Sequence, residues 1–440
     1  MTPPKRQLGL WITAAIVVAN MIGTGVFTGT GFMAKALHDP PTILAAWVIG
    51  GIVALCGASC YAELGTMMPR AGGEYVYLRE AFHPIAGFMS GWISLTAGFS
   101  APIAASALAF ATYQAKVFPD MAAVSPKIVA CSLICGVTAL HSLDTKVGGW
   151  VQTAFTTLKV LLITAFIVAG LGSGRGDWSH FAHEQGGFSN IATWGFGIQL
   201  MYVSFSYSGW NAAAYIAGEV KRPERTLPRS LFIGTMLVMV LYLLLNVVYF
   251  YALPSEKLAG VPEVGDLAAR ALLGPEAGQL ITSLIALALV SAVSAMIMAG
   301  PRVYSSMATD GALPRPLAWY SSRGVPTVAV VTQGVLACGF VLAGTIDQLL
   351  RFVGFTLALS AGLTCCAVYV MRSRGTPATY RTIGYPVTPA VFVLASLWIA
   401  IAQIQTNPLE SLIGAAVVAG GAMVYAFTLR GSSPKPVPSS

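Results

Sequence analysis

Long apolar windows alternate with short polar turns along the whole chain. They fall at about 8–33, 43–66, 83–117, 126–142, 148–172, 190–217, 230–253, 278–308, 326–345, 348–371, 386–405 and 409–429. Most reach or exceed the ~20 residues that an α-helix needs to cross the hydrocarbon of a bilayer, so twelve helical spans are predicted. Turn chemistry punctuates them at His38-Asp39-Pro40-Pro41, Gly172-Ser173-Gly174 and Arg374-Gly375-Thr376-Pro377. Lys5-Arg6 before the first window and Ala34-Lys35-Ala36 after it imitate a secretory signal. The run from Leu8 to Met33 far exceeds a signal core of about 7–15 residues, so it is expected to stay as a first span. The tail Gly431–Ser440, rich in Pro and Ser, is expected to be disordered.

Composition turns this pattern into a class. Of 440 residues, 56% are hydrophobic and 10% charged, and the mean hydropathy is +0.72. A soluble domain carries about 25% charged residues, so a soluble globular enzyme is excluded and one polytopic membrane domain over 1–440 is expected. The net charge of +8 has a membrane explanation. With the N-terminus inside, the 25 Lys and Arg divide into 17 cytoplasmic, 7 external and one intramembrane, Lys159. That asymmetry predicts a multi-pass protein of the cell (inner) membrane with both termini cytoplasmic. The basic residues form no stripe with aromatic platforms, so the bilayer and not nucleic acid is the expected partner.

Two windows carry glycine where a helix should run on: Gly23-Thr24-Gly25 in the first and Ser206-Tyr207-Ser208-Gly209 in the sixth. They lie five spans apart, as in an inverted repeat of five plus five helices. Paired interruptions of this kind point to a midplane binding site in a transporter, although close packing through small residues is the competing explanation. A broken helix offers N–H donors at the start of its second half, here Gly23, Thr24 and Gly25, and carbonyl acceptors at the end of its first, near Asn20, Met21 and Ile22. Phe205 marks where span six can add further carbonyls. Donors for a carboxylate beside acceptors for an ammonium suit a zwitterionic α-amino acid. The glycine spacing does not fit a dinucleotide loop.

Lys159, halfway along span five, is too costly at that depth to lack a role. Glu63 and Glu219 fall near cytoplasmic span ends and are expected to pair with loop Arg or Lys. No carboxylate is thus placed to hold a cationic side chain. Cys56/Cys60 and Cys131/Cys135 sit four apart, yet have no His or carboxylate beside them and are expected to be small apolar residues. His180-x-x-His183-Glu184 has weak metal-like spacing in an external loop. No metal, cofactor or catalytic residue is expected.

Longer signatures join these features. Gly23-Thr24-Gly25-Val26-Phe27 resembles the GSGIF motif of amino acid–polyamine–organocation (APC) permeases. Cys60-Tyr61-Ala62-Glu63-Leu64-Gly65 with Pro69-Arg70-Ala71-Gly72-Gly73-Glu74-Tyr75 resembles a signature of their L-type amino-acid transporter branch. So does Tyr207-Ser208-Gly209-Trp210-Asn211, followed by Glu219-Val220-Lys221-Arg222-Pro223-Glu224-Arg225-Thr226-Leu227-Pro228-Arg229. The resemblance is clear over spans one to ten and rests on hydropathy alone for eleven and twelve.

The resemblance implies an all-α, twelve-helix LeuT-type fold with broken helices 1 and 6. Its repeats would cover about 8–172 and 190–371, with extra helices at about 386–429. It further implies that Gly23, Thr24 and Gly25 bind a substrate carboxylate, while Met21 and Ile22 bind the amine through their backbone. Phe205 would be an aromatic gate, and Ser208 and Asn211 substrate contacts with Trp210 packed beside them. Lys159 would stand where sodium sits in sodium-coupled relatives, and Phe99, Ser100, Ser291 and Ser294 would line the pocket. Two departures matter. Ala101-Pro102 stands where animal members carry Arg-Pro, so side-chain selectivity does not transfer. The external loop after span three has no obvious cysteine, so no disulfide-linked accessory subunit is expected. The expectation is a sodium-independent transporter of neutral L-amino acids, an exchanger or proton-coupled, with a cationic amino-acid or polyamine exchanger as the alternative.

Overall fold

A computed structural model describes residues 6, 8–70, 72–143, 145–182, 191 and 193–429. The predicted tail 431–440 and the His183-Glu184 part of the metal-like spacing lie outside them. The helices are α1 (Leu10–Met21), α2 (Thr24–Leu37), α3 (Pro40–Met67), α4 (Glu74–Ala81), α5 (Pro84–Ile93), α6 (Ala101–Val117), α7 (Pro126–Leu143), α8 (Thr145–Gly172) and α9 (Trp194–Tyr207). They continue with α10 (Ala212–Tyr215), α11 (Pro223–Ala252), α12 (Ser255–Leu258), α13 (Val264–Leu273), α14 (Pro275–Thr309), α15 (Thr327–Ala343), α16 (Ile346–Ser373), α17 (Val387–Thr406) and α18 (Pro408–Leu429). Proline opens α3, α5, α7, α11, α14 and α18, where its missing N–H costs nothing. Asp39 caps α3 through the Thr42 N–H at 3.2 Å, and Thr345 and Gln348 form a capping box on α16.

Ten helical segments among the described residues are long and apolar enough to cross a membrane. The two remaining hydrophobic windows differ for identifiable reasons. The ninth forms α15, at 17 residues, and the sixth stops being helical after the 14 residues of α9. Exposed apolar side chains such as Leu161, Val335, Leu394 and Leu412 cover the outside of the bundle. In a bilayer such a surface faces lipid.

Helices five windows apart pack against each other. α2 lies on α9, α3 on α11, α6 on α14 and α7 on α15. The ends of windows one and six are also tied. The Leu8 N–H donates to the Glu219 carbonyl at 3.0 Å, and the Lys221 N–H to the Leu8 carbonyl at 2.8 Å. On the same side Glu63, with its side chain fully buried, accepts two bonds from Arg372 at 2.7 and 2.8 Å and one from the Thr382 N–H at 2.7 Å. The guanidinium also lies 3.8 Å above the Tyr385 ring. The pairing expected for Glu63 with a basic residue at a span end is thus present.

Candidate functional site

Both glycine-marked windows break. α1 ends at Met21, Ile22 and Gly23 leave the helix, and α2 starts at Thr24 with no side-chain cap on its first N–H groups. α9 ends at Tyr207, and Ser208–Asn211 are non-helical before α10. Gly209 has φ +98°, a conformation that L side chains rarely adopt. A Cβ there would sit 2.7 Å from the Asn20 carbonyl carbon and oxygen, so the two broken segments meet backbone to backbone.

Charge complements the first break. Lys159 is 2% exposed, and its Nζ donates to the Ile22 carbonyl at 3.0 Å and lies 3.5 Å from that of Ala19. The Tyr242 hydroxyl donates to the Met21 carbonyl at 2.6 Å. The carbonyl end of a half-helix therefore receives the Lys159 amino group, and the helix dipole there favours its charged form. At the start of α2 the Thr24 hydroxyl donates to Ser106 at 2.6 Å. Gly25 serves close packing, since a Cβ there would lie 2.3 Å from the Ser206 oxygen.

A cavity of about 120 Å³ opens beside the breaks. Its wall includes Asn20, Phe99, Ser208, Gly209, Trp210 and Asn211. Trp210 is wedged against Tyr61 and Phe392, with ring centroids 4.7 and 5.8 Å away. The third window contributes Ser94, Gly98 and Phe99 from a π-helical turn, Ser94–Ser100, that widens the helix there, and Pro102 from the start of α6. Such turns recur at functional sites, and Pro102 removes the next intrahelical donor.

The remaining residues singled out in the sequence lie behind this wall. Met21, Ile22, Gly23, Thr24 and Gly25 line the break but not the cavity, and Phe205 is buried with its carbonyl accepting the Ser208 N–H at 2.9 Å. Ser100 donates back to the Leu95 carbonyl at 2.6 Å, closing the π turn. Ser294 bonds His141 at 2.8 Å, and Ser291 is buried.

On the side that carries Leu8 and Glu63, the cavity wall runs out to Glu74, Ile216 and Arg302. On the opposite side Phe32 stacks on Tyr202, 5.8 Å between centroids, and the Tyr202 hydroxyl bonds Asp347, which pairs with Arg351 at 2.8 Å. The cavity lining thus extends toward the side of Glu74 and Arg302 and does not include Phe32 or Tyr202.

Glu74 is the candidate residue that the sequence reading missed, and its position corrects the expectation that no carboxylate reaches the pocket. It is 3% exposed and lines the cavity. Tyr61 and Asn211 donate to its Oε1 at 2.5 and 3.0 Å, and Ser90 and Ser360 to its Oε2 at 3.4 and 3.1 Å. Burial pushes its carboxyl above the usual range, against the opposing pull of these hydrogen bonds. The available signal was Gly72-Gly73 just before it. Both glycines have positive φ, +123° and +51°, and a Cβ on Gly73 would lie 2.5 Å from the Tyr215 ring. They turn the chain inward, so that Glu74 enters the bundle at the start of α4.

Comparison with known proteins decides the family. The amino acid permease profile matches residues 8–426. The chain belongs to the amino acid permease family. The permease is 29% identical over 419 residues to the b(0,+)-type amino acid transporter 1 of Mus musculus, covering 92% of this chain and 84% of that one. It is 28% identical to the serine/threonine exchanger SteT of Bacillus subtilis, covering 96% of each. It is 27% identical to the large neutral amino acids transporter small subunit 2 of Homo sapiens, covering 96% of this chain and 80% of that one. These relatives and the apolar helices identify a membrane amino-acid transporter rather than an enzyme.

Proposed function

We propose that this permease is a sodium-independent exchanger of neutral L-amino acids, working by alternating access in a twelve-span LeuT-type fold. The carrying observation is the Lys159 Nζ donating to the Ile22 carbonyl at 3.0 Å, a basic group at the carbonyl end of the first broken helix. The pairwise packing of helices five windows apart supports the inverted repeat. The asymmetry of Lys and Arg supports cytoplasmic termini in the cell membrane, and with them a cytoplasmic side for Glu74 and Arg302 at the end of the cavity wall.

The substrate carboxylate is assigned to the N–H groups at Gly23, Thr24 and Gly25, of which that of Gly23 also meets the Tyr242 hydroxyl oxygen, and the amine to the Met21 and Ile22 carbonyls. Each carbonyl keeps a second lone pair beside its bond to Tyr242 or Lys159. Ser208 and Asn211, with Asn20 and Phe99 added from the cavity wall, contact the side chain, and Phe205 gates it. These wall residues carry the proposal more directly than Ser100 and Ser294, whose hydroxyls are engaged elsewhere. The likeness to SteT, named as a serine/threonine exchanger, supports small neutral substrates for this chain. Residues 118–125, between α6 and α7, contain no cysteine, which supports function without a disulfide-linked subunit.

Glu74 in the cavity wall is the observation behind a second reading, a cationic amino-acid or polyamine exchanger, in which the substrate cation displaces donors from its carboxylate. Uptake by proteoliposomes in sodium and in choline buffer, with serine, leucine, arginine and putrescine as competitors, separates the two. Serine or leucine competing in both buffers supports the first reading. Arginine or putrescine alone competing supports the second, and sodium-dependent uptake overturns both.

A further inference from the structure

Two cations near Glu74 are spent on other partners. Arg79, on its own helix, pairs with Asp310 at 2.8 Å, and Arg70 pairs with Glu80 at 3.3 Å. The groups facing Glu74 are Tyr61 from α3, Tyr77 from α4, Tyr215 from α10 and Cys365 from α16, with Ser90 and Ser360 from α5 and α16. Arg302 of α14 lines the same cavity and forms no ion pair with Glu74 among the described residues.

A carboxylate offers about four acceptor positions, and four donors already hold these two oxygens. A guanidinium or ammonium would have to displace them. A proton would not. Both donors on Oε2 are helical serine hydroxyls, which can turn to the carbonyl one turn earlier and accept from a protonated Oε2 instead. The network thus serves both charge states without moving a helix. On the other oxygen, Asn211 Nδ2 bridges Glu74 at 3.0 Å and the Tyr215 hydroxyl at 3.1 Å, and Asn211 is the last residue of the break in window six. Its bond to an ionised carboxylate is charge-assisted, roughly twice as strong as the bond to a neutral one.

We propose that Glu74 is a reversible proton-binding site on the cytoplasmic side, whose protonation loosens Asn211 and so releases the broken segment of span six for the inward-to-outward step. This rests on the transport reading. Exchange therefore rises as pH falls, and the neutral isostere holds it at the acid level.

Two measurements on the full-length protein decide this. In proteoliposomes, exchange of labelled serine is followed from about pH 5 to about pH 9, a range that brackets buried glutamates. Wild type shows a single-proton transition, Glu74→Gln shows none, and Glu74→Asp keeps one with a moved midpoint. Infrared titration of purified protein needs no transport. It shows a protonated-carboxyl band in wild type that shifts in Tyr61→Phe and is missing in Glu74→Gln. A Glu74→Gln protein that keeps the wild-type pH transition, or a band that survives the substitution, overturns the proposal. Absent exchange at every pH with the band present overturns the transport reading and leaves the proton site standing.

Discussion

Gly209 meets Asn20 with no room for a side chain between them, so each broken helix holds the other open at the same depth. Two constraints coincide at Gly209, the positive φ of +98° and the 2.7 Å approach of a Cβ to the Asn20 carbonyl. Gly209→Ala is expected to cost about 1–3 kcal/mol from backbone strain alone, with the clash added. A lowered melting temperature and reduced exchange per folded protein check this. Full stability with full exchange contradicts it.

Lys159 is predicted to matter more to transport than to folding. Lys159→Met keeps the stem that packs in the bundle and removes the donor to the Ile22 and Ala19 carbonyls. The orphaned carbonyls cost about 1–3 kcal/mol, which a packed bundle tolerates. Expression within about twofold of wild type and exchange lowered at least tenfold are expected, tenfold being ~1.4 kcal/mol on a barrier. Normal exchange by this variant would return Lys159 to a structural role.

The Glu63–Arg372 pair is predicted to be a lock on the face that carries Leu8 and Glu219. Arg372→Ala strands a fully buried carboxylate, at a cost of about 3–5 kcal/mol. The double variant Glu63→Gln, Arg372→Ala removes both charges and should be more stable than Arg372→Ala alone. Thermal unfolding of the single and double variants measures the coupling. Additive effects would place the stabilisation elsewhere.

Much of this architecture is legible in the chain because lipid imposes long apolar windows and glycine marks the breaks. Lys159 stands out for the same reason, but its partners do not. Nothing local to 159 indicates carbonyls of residues 19 and 22 in another helix. Glu74 is missed because a carboxylate between two spans reads as solvated. Only the three-dimensional course of Gly72 and Gly73 sends it inward. Ser100 and Ser294 have suitable chemistry and depth, but the π turn and His141 direct their hydroxyls away from the cavity. Gly25 shows a further limit, since its place at the break and its contact with Ser206 require the same residue.

The central claim is that the break at Ile22–Gly23, beside the cavity, recognises the zwitterion of a free amino acid. Counterflow of labelled serine in proteoliposomes, challenged by unlabelled serine, its methyl ester and its N-acetyl derivative, tests this most directly. Free serine should compete, while both derivatives, each lacking one charge, should fail to. Equal competition by the ester or the N-acetyl compound, or no counterflow of any amino acid, would contradict it.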